Sequence, residues 1–189
     1  MLAGFLVATA SVVIAGGKLS RLGGLQFRGV PVLLAALLVQ IVIISLVPEG
    51  NEGVKEAVHI GSYLLVFGFL AANVRVPGLW LIAIGAFLNF AVIAANHGVM
   101  PADPGAMRRA GMERRAGEFQ NSRPLDNPRL EFLGDNFALP ESWPVSNVFS
   151  VGDVLIVLGV TLGMHQICRS RIVPERFLPV VRNAETPTP

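Results

Sequence analysis

The sequence predicts an all-α integral membrane protein, five transmembrane helices with a long external loop before the fifth, and two observations carry the prediction. First, 52% of its 189 residues are hydrophobic and only 15% charged, with a mean hydropathy of +0.59; a water-exposed domain of this size carries nearer a quarter charged residues. Second, apolar runs recur along the chain, each near the ~20 residues a helix needs to cross a bilayer core. The net charge of +2 comes from arginines at run ends and within one loop. It does not form a basic stripe, so nucleic acid is not expected as a partner.

The first run covers residues 1–17. No basic segment precedes it and no small-residue cleavage site follows, so it reads as a retained helix and not a signal peptide. The second, residues 30–47, stops at Pro48-Glu49-Gly50. The third and fourth, residues 57–74 and 79–95, are joined by Arg75-Val76-Pro77-Gly78, a link short enough to force an antiparallel hairpin. The fifth covers residues 148–167 and ends at Arg169-Ser170-Arg171. None of the runs alternates with the period of a barrel strand. The chain thus divides into a four-helix membrane segment (1–101), an external loop that folds back on the bundle (102–147), a fifth transmembrane helix (148–173) and a disordered cytoplasmic tail (174–189).

Positive charge near the run ends sets the orientation. Lys18, Arg21, Arg28, Arg75, Arg169, Arg171 and Arg176 fall on one side; Lys55, Arg108 and Arg109 fall on the other, with Glu49, Glu52 and Glu56. That places the N-terminus outside and the C-terminus inside. Within the loop, Met112, Ala116 and Phe119 share helical spacing and suit a short surface helix. Phe132, Leu133, Phe137, Leu139 and Trp143 are too apolar to stay in solvent and point to a segment that packs back, with Trp143 at headgroup level.

Polar residues inside apolar runs are the informative ones. His59, Ser62, Tyr63 and Asn73 share a face of the third run, and Asn89 and Asn96 one of the fourth; they suit either interhelical hydrogen bonding or a polar cavity. Asp153 opens the fifth run as either a functional carboxylate or a cap partner of Ser150 or Asn147. Gly159 and Gly163 have the GxxxG spacing of close helix packing and offer a face to a membrane-protein partner. Asp135 is the second acid; brought beside Asp153 it would share a proton with it and could activate water for hydrolysis. Asn96, His97, Asn147 and His59 are candidate substrate-binding residues. Cys168 cannot form an internal disulfide, and the histidines lack metal-ligand spacing, so neither metal nor cofactor is expected.

Three segments, Asn96-His97-Gly98-Val99-Met100-Pro101, Leu133-Gly134-Asp135 and the stretch from Asn147 to Ile156, resemble an uncharacterised bacterial polytopic membrane-protein family, a domain of unknown function. The resemblance implies a bacterial inner-membrane protein and no activity. The stretch opening the fifth run is also similar to the last helix of signal peptidase II, with Asp153 at the position of a catalytic aspartate and Asp135 preceding it. The basic segment which that family carries ahead of its first aspartate is not found here. Three functions follow: a structural or accessory membrane component, a membrane aspartic hydrolase using Asp135 and Asp153 at the outer face, or a small transporter. The lipid bilayer is the expected partner in each.

Overall fold

A computed structural model of the chain describes residues 2–46, 52–112 and 122–177. Helices occupy the apolar runs: α1 Leu2–Ile14, α2 Val30–Leu46, α3 Glu52–Ala72, α4 Leu79–Ala95 and, late in the chain, α6 Val151–Ile167. Between α4 and α6 lie a short helix, α5 (Pro104–Arg109), and four short strands: β1 Met100–Pro101, β2 Ser122–Arg123, β3 Phe137–Leu139 and β4 Asn147–Phe149.

The five-transmembrane prediction is corrected by the helix lengths. Among the described residues, no helix is long and apolar enough to cross a membrane. The 13 residues of α1 extend only ~20 Å and the 17 of α2, α4 and α6 ~26 Å, against a hydrocarbon core of ~30 Å. With 21 residues α3 is long enough, but Glu52, Lys55 and Glu56 occupy its first turns. The first run overstates its helix because hydropathy does not register where the backbone turns: Ala15-Gly16-Gly17 belongs to that run, yet α1 stops at Ile14 and Gly16 adopts a φ of 73°. The descriptions multi-pass and transmembrane fall with this correction. So does all-α, since the loop forms two small sheets, β1 parallel to β2 and β3 antiparallel to β4.

The helices pack in the order α1, α6, α4, α3, α2, so the last helix inserts between the first and the fourth. Its seam with α4 is made of backbone. Gly78 caps α4 with a φ of 80° and lies so close to Gly159 that any side chain would strike the Gly159 carbonyl. Gly163 faces Pro77, and Gly152 faces Gly85 and Asn89. The glycine face of α6 is therefore covered by α4 of the same chain. On the other side of α6, Ala8 and Val12 of α1 are buried with Met164 and Cys168. His165 ties this junction: its Nε2 lies 3.0 Å from Ser11 Oγ and its Nδ1 2.6 Å from Ser170 Oγ. Ser11 also donates to Ala8 O at 2.7 Å and Ser170 to His165 O at 3.4 Å, so both hydroxyls join the imidazole to backbone.

Two buried asparagines end helices in the same manner. Asn73, after α3, accepts from Arg28 N and donates to Arg28 O, both at 2.8 Å. Asn96, after α4, accepts from Arg129 N and donates to Arg129 O, also at 2.8 Å. In each case the carboxamide pairs with a distant backbone as a strand would, which satisfies polar groups that are costly to bury unpaired. The second clamp fastens the loop to the end of α4.

Candidate functional site

Asp153 and Asp135 approach one corner of the fold from different elements. Asp153 is the third residue of α6, and Ser150 is the N-cap; Asn147, the other candidate cap, lies in β4. Ser150 Oγ accepts from Asp153 N at 3.0 Å, and Asp153 Oδ2 accepts from Ser150 N at 3.1 Å. This reciprocal box satisfies helix-end amides that have no partner within the helix. Asn89 of α4 completes a ring, donating to Asp153 Oδ1 at 3.0 Å and accepting from Ser150 Oγ at 2.8 Å. Gly152 makes the approach possible, because a methyl group there would collide with the Asn89 side chain.

Asp135 is held by its backbone against the segment that follows α4. Its amide donates to Pro101 O at 2.9 Å and its carbonyl accepts from Asp103 N at 3.1 Å. On the opposite edge of the same segment, Met100 and Pro101 pair with Ser122 and Arg123. The Asp135 side chain, buried at 5% exposure, accepts from Ser122 Oγ at 2.5 Å. Burial pushes its carboxyl up from the usual 3.8 to about 6; the Ser122 hydrogen bond acts against the shift and the charge of Asp153 adds to it. Tyr63 of α3 is pushed up to about 12, again by burial first and by Asp153 second. The charge of Asp153 thus reaches Asp135, while each carboxylate has its own hydrogen-bond partners.

The remaining predicted residues fall elsewhere. Asn96 and His97 line a cavity at the end of α4, His97 with a φ of 54°. His59 lies on α3, with its side chain outside the described residues. Of the proposed surface helix, Ala116 and Phe119 are outside the described residues; the nearest described helix is α5, capped by Asp103. Ser122 was not singled out by sequence, since nothing marks one serine of a polar loop as the partner of Asp135. Asn89 was visible as a polar residue in an apolar run, but its link to Asp153 depends on how α4 and α6 pack.

A family model described as a family of unknown function (DUF5317) matches residues 24–165, which include Asp135, Asp153 and their partners. An uncharacterized protein of Thermotoga maritima is 29% identical over 106 residues, 56% of this chain and 61% of the relative. The chain therefore spans less than two thirds of that relative's length. No solved structure matches. With most of its length matched by the family model, the chain belongs to the DUF5317 family of unknown function.

Proposed function

We propose that this protein is a structural or accessory component of the bacterial inner membrane, held at the lipid bilayer by apolar side chains that its fold leaves outside. One observation carries this reading. In α1 the buried residues are the small Ala8 and Val12, while Leu2, Phe5, Leu6, Val7, Val13 and Ile14 are all more than half exposed, Ile14 at 87%. That distribution reverses the one that water imposes on a surface helix. On α4, Trp80, Ile84 and Phe87 form a second exposed apolar stripe at helical spacing. Exposed apolar surface on this scale marks an interaction face, and acyl chains suit one that presents no polar pattern. The test is flotation of the full chain with phospholipid vesicles. It is expected to float with them, and Phe5→Ser with Val7→Ser to weaken the association. Recovery as a vesicle-free monomer, or as a self-associated oligomer indifferent to lipid, would overturn the reading.

A second reading, a membrane aspartic hydrolase using Asp135 and Asp153, draws support from one observation: Asp135 holds its proton to about pH 6, in part because of Asp153. A carboxyl poised near neutrality suits general acid–base work. Against it, both oxygens of Asp153 are already engaged: Oδ1 accepts from Asn89 of α4 and Oδ2 from Ser150 N in the cap of α6 itself. Cleavage of a membrane-anchored peptide that is abolished by Asp135→Asn, in a variant of unchanged stability, would favour this reading; unaltered cleavage would remove it.

A further inference from the structure

We infer that the cavity at the end of α4 binds a phosphate ester whose substituent carries a hydrogen-bond donor, such as a hydroxyl or ammonium group. The cavity measures about 420 Å³, within the range of small-molecule sites (~300–1,000 Å³). Its walls include Asn96, His97, Arg123, Asp126, Asn127 and Arg129. The guanidinium groups of Arg123 and Arg129 make no ion pair among the described residues. Planar guanidinium forks match phosphate oxygens in pairs, which makes arginine the preferred partner for that group. Asp126, the one carboxylate among the described lining residues, supplies an acceptor in the same cavity as the two cations, and the described lining carries a positive balance.

The walls are also built at conformational expense. His97 and Asn127 both hold a left-handed φ of 54°, and Leu130, next to Arg129, one of 55°. Such backbone is uncommon for residues with a side chain and gathers at ligand sites. Asn96 adds rigidity: its carboxamide grips Arg129 at both backbone atoms and bonds Val92 O at 2.7 Å. The Arg129 backbone is thereby fixed to α4 while its side chain remains exposed.

Phosphate esters of this kind occur as lipid headgroups and as free metabolites, and the site stands whether or not the protein rests on lipid. The test is calorimetric titration of the full chain with sn-glycerol 3-phosphate and with short-chain phosphatidylglycerol. Binding of at least one probe is expected, weakened about tenfold or more by Arg123→Gln or Arg129→Gln and unchanged by Arg176→Gln. Binding of the lipid alone assigns a headgroup; binding of the soluble ester alone assigns a free ligand. Asp126→Asn should weaken the glycerol ester and leave inorganic phosphate unaffected. No binding of either probe, or binding that both arginine variants retain in full, would overturn the inference.

Discussion

Asn89 donates to Asp153 Oδ1 at 3.0 Å, joining the middle of α4 to the first turn of α6. The same asparagine accepts from the Ser150 cap, so the contact between helices and the cap of one of them form a single polar ring. Loss of the cap in Ser150→Ala is expected to cost about 1–2 kcal/mol, and more if Asn89 Oδ1 is left unpaired. Asp153→Ala and Asn89→Ala should not be additive, because they remove the same bond. Chemical denaturation of the two single variants and the double variant measures the coupling; simple additivity would mean the ring is not a unit.

The glycine seam gives a steric prediction with its own control. Gly152→Ala drives a methyl group into Asn89 and to 2.7 Å from Gly85 O, which should destabilise the protein by roughly 1–3 kcal/mol. Gly68, on α3, has nothing within 4 Å of the same added carbon among the described residues. There alanine should stabilise the helix by roughly 0.5–1 kcal/mol. Melting temperatures of the two variants should move in opposite directions.

Asp135 makes stability depend on pH. Its carboxyl titrates near 6 in the folded chain against 3.8 ordinarily, so between those values the folded state binds more protons than the unfolded one. Stability from this group is therefore greatest at the acid end of that window and declines as pH rises towards 6, with a slope of at most ~1.4 kcal/mol per pH unit. Asp135→Asn should abolish this component. Ser122→Ala should raise the carboxyl further, since the Ser122 hydrogen bond favours the ionised form; carboxyl chemical shifts across the titration read both effects.

The Asn96 clamp predicts a local effect. Asn96→Ala removes the two hydrogen bonds that join the end of α4 to the loop, and a third to Val92 O within α4. Hydrogen exchange should rise around Arg129 and in the segment beyond α4, and remain low in the α4–α6 seam. Uniform loss of protection would show that the clamp supports the whole fold.

What could be read from the chain divides along physical lines. Helix positions were legible because an apolar run bounded by Pro, Gly and charge leaves few alternatives: residues 79–95 are helical as read, and so are residues 30–46, the described part of the second run. Helix ends were less so, since the first run continues through the turn at Ala15-Gly16-Gly17, and even the 17 residues of α4, which match their run, fall short of a bilayer core. The strands were illegible because each has only two or three residues and β1 finds β2 across the whole of α5 and the segment beyond it. Around Asp153, the Ser-Val-Gly-Asp spacing announced a cap, but the choice of Ser150 over Asn147 and the role of Asn89 came from the packing of α6 on α4. Arg123 and Arg129 passed unnoticed, as arginines in a polar loop carry no signal until a cavity gathers them.

The central claim is that the exposed apolar side chains meet lipid, and Trp80 reports on it directly. The chain has two tryptophans, and Trp80 is 52% exposed on the apolar stripe of α4. In a Trp143→Phe variant mixed with vesicles of acyl-chain-brominated phospholipid, Trp80 fluorescence is predicted to be quenched and shifted to the blue. Fluorescence that stays unquenched by the lipid and open to an aqueous quencher would contradict the account.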